Sequence, residues 1–261
     1  MTPRWSFPDL EFVVRWQRLR EDSLPHPFVF TTDIAYEDDF QRARVRMLDQ
    51  VLAEPDPALD AALADIARPD IVLRVRGVDG RDPANPAASI RLLAARRESR
   101  GYLLTQLPGR TVDHSAGFTL TECDAVRLAD LVADALPAAA AGRGGAFTLP
   151  DEGASDPADE WEVTSRLWDG YDETPEVRAR RFVNTTPERV GVIEIAQGIS
   201  RFGPKGRSVR WLQWRDLPDD GRHVVTAGPP VTVAAADRQG VIAAINAELI
   251  TVIRAIKDER L

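Results

Sequence analysis

Apolar positions along this chain follow two periods, and the same order of elements occurs twice. Residues 71–78, 88–97 and 101–107 form short β-type runs, interrupted by the loop signals Asp79-Gly80, Pro83 and Pro86. Phe118-Thr119-Leu120 then leads to Asp124 and a helix whose apolar stripe is Leu128, Leu131, Val132 and Leu136. The stretch 190–249 repeats this order with Val190 to Ala196, Val209 to Trp214 and Val231-Thr232-Val233. Asp237 follows, opening a helix that carries Val241, Ile245, Leu249, Val252 and Ile256. The two ends align at one constant offset. Links within each half are too short for the crossovers that parallel strands require. The pattern therefore predicts an α+β fold with a mainly antiparallel central sheet and flanking helices, built as two pseudo-symmetric halves that each end in an amphipathic helix.

Other segments fill in the frame. Asp9 after Pro8 caps a short helix with Phe12, Val13, Trp16 and Leu19 on one face, although Phe12, Val14 and Trp16 also alternate as a strand would. Phe28-Val29-Phe30 reads as a short extended piece. A helix over 36–53 carries Phe40, Met47 and Val51, with Glu37, Asp38 and Asp39 at its positive end. A shorter helix follows with Leu59, Leu63 and Ile66. Thr121-Glu122-Cys123-Asp124 has the Thr-x-x-acid form of a helix start. The Ala-, Gly- and Pro-rich stretch 138–157 reads as a linker between halves of about 1–137 and 158–261 within a single domain. Beyond it, Trp161, Thr164, Leu167, Trp168 and Tyr171 fall on one helical face, and a second helix from Pro175 carries Val177 and Phe182.

Composition narrows the partners. With 261 residues the chain is long enough to bury about three-quarters of its unfolded surface. No apolar run approaches the roughly 18 residues of a membrane span, and the N-terminus lacks the apolar core of a secretory signal. Cys123 is the only cysteine, which excludes an internal disulfide and a thiolate metal cluster and suits a reducing cytoplasm. The net charge of −8 argues against nucleic acid. The clusters Arg178, Arg180, Arg181 and Arg96, Arg97, Arg100 are accounted for by a solvated helix face or a strand edge.

Catalytic signatures are missing. His26, His114 and His223 show no ligand-type spacing. Asp113-His114-Ser115 puts triad residue types side by side, whereas triad members converge from separate elements. In Gly198 to Lys205 the lysine expected after the second glycine of a phosphate loop is Pro204, which has no N–H to offer phosphate. No catalytic residue, cofactor or metal site is expected, which points to a binding protein rather than an enzyme. An unrecognised ligand pocket or active site, and a structural subunit that self-associates, remain the alternatives. Ile199 and Phe202 sit in a Gly/Pro hairpin loop whose turn does not need them. The following strand presents Val209, Trp211, Gln213 and Arg215 on one face and Arg210, Leu212, Trp214 and Asp216 on the other. The aromatic, amide and arginine mixture of the first face is typical of protein interfaces, although burial of both faces is an equal alternative. Ile199, Phe202, Trp211, Gln213 and Arg215 are thus the candidate partner-binding residues. Asp216 and Arg222 flank the turn Leu217-Pro218-Asp219-Asp220-Gly221 and are expected to pair across it as an exposed ion pair.

The run Val190 to Gly198, followed by Arg207, Val209, Trp211, Trp214-Arg215-Asp216 and Gly221-Arg222, resembles the C-terminal half of the EspG family of type VII (ESX) secretion-associated proteins. Leu24-Pro25, Pro27-Phe28, the helix over 36–53 and Arg68-Pro69-Asp70 at the head of a strand agree with the first half of that family, so the resemblance spans nearly the whole chain. It departs at Leu217, where the family commonly has Thr, and in its shorter connection over 137–157. The resemblance implies a cytoplasmic chaperone without cofactor that binds the helical tip of PE/PPE-type or WXG-type secretion substrates, keeps it soluble and delivers it to the ESX machinery. It implies neither nucleic-acid binding nor membrane insertion, and leaves a homodimer open.

Overall fold

The computed structural model describes residues 3–19, 23–149 and 174–259. Among these, ten strands form one sheet in the order β1-β5-β4-β3-β2-β7-β8-β9-β10-β6. Four of them, β2 (Ile71–Asp79), β3 (Ile90–Arg97), β4 (Arg100–Pro108) and β5 (Ser115–Asp124), make an antiparallel meander. A second meander consists of β7 (Arg189–Gln197), β8 (Val209–Leu217), β9 (Gly221–Thr226) and β10 (Thr232–Ala235). The two join through β2 and β7, which pair antiparallel along their full length with Val75 opposite Ile193. Each meander runs into a helix, α4 (Leu128–Ala135) after the first and α6 (Arg238–Asp258) after the second.

Alternation along the strands divides the core. Leu73, Val75, Ile193, Ile195, Leu212 and Trp214 face α4 and α6, whose Leu128, Val132, Val241, Ile245 and Val252 close this side. Trp214 lies across the central pair because Gly77 and Gly191 leave room for it: a Cβ on Gly191 would come within 2.0 Å of the indole. By length and composition α6 could cross a membrane; one stripe of it, with Val241, Ile245 and Val252, is packed on the sheet. On the second face, Val72, Leu93, Tyr102, Leu104, Phe118 and Leu120 meet α1 (Asp9–Arg18) and α3 (Pro57–Ala67). The Phe12 and Phe118 rings are 4.2 Å apart there, with Phe28 edge-on at 5.2 Å from Phe118. Helix α2 (Glu37–Ala53) rests on α1 and buries only Val51. A third, smaller core forms under α5 (Pro175–Asn184), from Phe147, Phe182, Leu217, Val225 and Val233.

Long-range pairing changes two sequence expectations, the helix start at Thr121 and the linker over 138–149. Thr121 does not start a helix: β5 continues to Asp124 because β4 pairs with it that far, with Arg100 opposite Asp124, while β1 (Arg4–Phe7) lines its other edge as far as Thr121, and Asp124 itself caps the next turn by accepting from Val126 N–H. Residues 12–16 are helical, the first of the two readings that the sequence allowed. The piece at 28–30 joins no strand; instead the Gln106 amide takes the place of a partner, accepting from Val29 N–H at 3.0 Å and donating to Val29 C=O at 2.9 Å. Of the expected linker, residues 138–149 return to the sheet. Gly142 N–H donates to Arg222 C=O at 2.8 Å, and β6 (Phe147–Thr148) pairs with β10. Residues 150–157 and the proposed helical face from Trp161 to Tyr171 lie outside the described residues.

Candidate partner-binding surface

Among the described residues, a strip of the second face stays open between the cover of α1 and α3 and that of α5. Side chains that share this face follow the strand register in three rows. The first holds Arg91, Arg76, Val192 and Gln213; the second Leu93, Arg74, Glu194 and Trp211; the third Val78, Val190, Arg215 and His223. Here they border a groove of about 450 Å³ lined by His26, Arg74, Arg76, Val78, Val192 and Trp211. Trp211 is 47% exposed at its wall.

Cations dominate one side of the groove. Arg74 pairs with Glu194, whereas Arg76 is exposed and has no carboxylate partner among the described residues. Arg91 is buried, donates to Ser89 Oγ at 3.0 Å, and is drawn below its ordinary pKa by burial and by Arg76, with Asp113 opposing. His26 is likewise held below its ordinary value by partial desolvation; Glu194 opposes, and Arg74, Arg76 and Arg91 reinforce it. The groove thus joins an indole and aliphatic floor to an excess of positive charge, in a chain whose net charge is −8.

The five residues singled out from the sequence do not form one patch. Trp211 and Gln213 are exposed on the open strip. Arg215 shares their strand face but is engaged within the chain, donating to Thr185 C=O at 2.6 Å with its guanidinium 4.6 Å from the Phe182 ring centre. Ile199 and Phe202, 61% and 65% exposed, lie beyond the end of β7 in a loop tied to the C-terminal end of α6. Glu259 accepts there from Ser200 Oγ at 2.8 Å, Gln197 Nε2 at 3.0 Å and Arg201 N–H at 3.3 Å. Desolvation pushes the Glu259 pKa upward, but these hydrogen bonds outweigh it and hold the carboxyl below its ordinary value.

A model of the EspG family matches residues 8–247. The chain belongs to the EspG family. Its fold is similar to a solved structure of the Mycobacterium tuberculosis type VII secretion system chaperone EspG5 in complex with a PE25-PPE41 dimer. The two align with a TM-score of 0.60 at 14% identity, over 96% of this chain and 97% of that one. Among curated proteins nothing matches.

In this EspG-family chain the pair Asp216–Arg222 forms as the sequence suggested, but it is buried rather than exposed. Arg222 grips the carboxylate through Nε and Nη2 at 2.7 and 2.8 Å and also donates to Pro137 C=O at 2.8 Å. The return of the chain over residues 137–142 seals it, leaving the two side chains 3% and 5% exposed. Asp113-His114-Ser115 is a polar turn: His114 contacts Thr111 Oγ1 at 2.7 Å and Arg110 at 2.9 Å, while Ser115 Oγ accepts from Gly117 N–H. Among the described residues no group of three His, Cys, Asp or Glu side chains is arranged to hold a metal ion. Sequence reasoning passed over Arg74 and Arg76. The available signal was their alternation with Leu73 and Val75: a central strand covered on both faces reads as a continuous apolar run, so a polar alternate face marks an open one.

Proposed function

We propose that this EspG-family chain is a cytoplasmic chaperone that receives the helical tip of PE/PPE-type substrates on the open strip of its sheet, keeps that tip soluble and passes the cargo to the ESX machinery. The observation that carries this reading is Trp211, half-exposed in the middle of a sheet whose flanks are covered on the same face. Burial of apolar side chains against such a strip supplies affinity, and the polar groups around it set orientation. The EspG5 structure with a PE25-PPE41 dimer supports the reading through shared fold. The chain acts as one domain of two pseudo-symmetric halves, supported by a first core that draws on both meanders. Trp211 and Gln213 form the centre of the contact, Ile199 and Phe202 provide a second contact at the β7–β8 loop, and Arg215 holds α5 beside them.

PE–PPE pairs of the source genome, co-expressed one at a time with the chain and resolved by size exclusion, test this function. One pair is expected to co-elute with the wild type. Trp211→Ala should weaken that complex about thirtyfold, as loss of a buried anchor does, and Phe202→Ala with Trp211→Ala should abolish co-elution while the chain stays folded. Co-elution of a folded double variant at wild-type strength, or of no pair with the wild type, overturns the assignment.

A further inference from the structure

Arg76 and Arg91 stand directly opposite each other on β2 and β3 and belong to the same face. Like charges facing across an antiparallel pair oppose folding, and among the described residues neither guanidinium has an ion-pair partner: Arg91 donates to Ser89 and feels Asp113 only at longer range, and Arg76 reaches no carboxylate. One row away the same strand shows the ordinary solution, with Arg74 opposite Glu194 and paired to it. Arg76 also adjoins Val192, which lies between it and Gln213 in the row. A cation left unpaired beside an apolar floor, next to a second buried cation and in an acidic protein, is arranged to receive a carboxylate from outside.

We propose that Arg76, backed by Arg91, is the specificity determinant of the groove, and that the segment it accepts is a helical end bearing a carboxylate next to the apolar side chain that covers Val192 and Trp211. This rests on the groove being the docking site. Acidic–apolar ends are accepted; ends with a neutral or basic side chain at that position leave two cations facing each other under the partner and are rejected. The free chain carries the repulsion and the complex relieves it, so stability of the free chain and affinity for the partner respond to Arg76 with opposite sign.

Arg76→Glu tests this with two readouts, using as probe the PE–PPE pair that co-elutes with the wild-type chain. The introduced carboxylate would face Arg91, so the free variant should melt at the wild-type temperature or above it. Its affinity for the pair, measured by titration calorimetry, should fall about tenfold or more at low salt. The weakening of wild-type binding by added salt should be lost in the variant. Arg76→Gln should fall between the two, and exchanging the partner's acidic residue for Lys should restore binding to Arg76→Glu. Trp211→Ala separates this proposal from the groove itself. If Trp211→Ala weakens the complex while Arg76→Glu leaves affinity and salt response within about twofold, the charge selection is wrong and the groove stands. If neither change alters binding, the groove assignment and the charge selection both fall.

Discussion

The two halves of the sheet treat their second face differently. On β4, Tyr102 and Leu104 are fully buried in the core formed with α1 and α3. On β8, Trp211 and Gln213 occupy the same kind of alternating position and stay exposed. The strands are built alike; the cover is not. The N-terminal segment is pinned to the far edge by β1, which sets α1 over the first meander. Among the described residues, that face of the second meander receives α5 and β6, which close its outer edge through Phe147 and Phe182. An open strip at the centre of a sheet therefore arises from where neighbouring segments are anchored, not from the strands that line it.

The sharpest way to break this comparison is to truncate two tryptophans three residues apart. Trp214→Ala should lower unfolding free energy by about 3–5 kcal/mol in a urea titration, because the side chain fills the space that Gly77 and Gly191 leave. Trp211→Ala should change stability by less than about 1 kcal/mol. Equal losses would mean that both faces are packed.

Ion pairs sharpen the same contrast between covered and open surface. Arg222→Ala strands the buried Asp216 carboxylate and should cost about 3–5 kcal/mol. Arg238→Ala, which removes an exposed pair with Asp134, should leave the unfolding midpoint almost unchanged, because solvent screens that pair. A small effect at Arg222 would show that residues 137–142 do not seal that pair from water.

The third test uses pH. His223 is buried against Phe182, and a Cβ on Gly142 would come within 2.0 Å of its ring. Burial lowers its pKa below the ordinary 6.5, Asp220 and the Gly221 backbone oppose, and Arg181 and Arg215 reinforce the lowering. The folded chain thus binds fewer protons than the unfolded chain just below that value. Stability present above pH 6.5 is lost as pH falls from there through the depressed folded pKa. His223→Phe keeps the ring and should flatten that part of the stability–pH curve; an unchanged slope would assign the pH response to other groups.

The smallest effect is expected at the loop that carries Ile199 and Phe202. Glu259→Ala removes the acceptor for Gln197, Ser200 and the Arg201 amide. Amide exchange over residues 199–202 should accelerate while the melting temperature shifts little. Unchanged exchange would show that the loop is held without α6.

Much of this architecture is legible in the residues. The period-two alternation of Trp211 and Gln213 against Leu212 and Trp214 fixes which side chains share a face, and the structure keeps that division. Asp124 and Asp237 announce the turns that lead into α4 and α6, because a short acidic side chain can accept the first free N–H groups of a turn. The pair Asp216–Arg222 is visible as well, since a Pro/Asp/Gly turn brings its ends together. The EspG likeness rests on the order of such local features along the chain.

The covering of each face required the tertiary structure. Nothing local in Thr121 reveals that β4 and β1 will hold it in a strand, and nothing in residues 138–149 reveals that they bury Arg222. Arg74 meets Glu194 across 120 positions of sequence, and Ser200 meets Glu259 across 59. Periodicity depends on neighbours within a turn or a strand, so sequence by itself determined the elements, their order and the side chains that share each face. Which face is sealed depends on distant segments finding apolar surface to bury and backbone groups to satisfy. That competition is settled only when the whole chain packs, and it leaves Trp211 and Arg76 uncovered while it closes over Trp214 and Arg222.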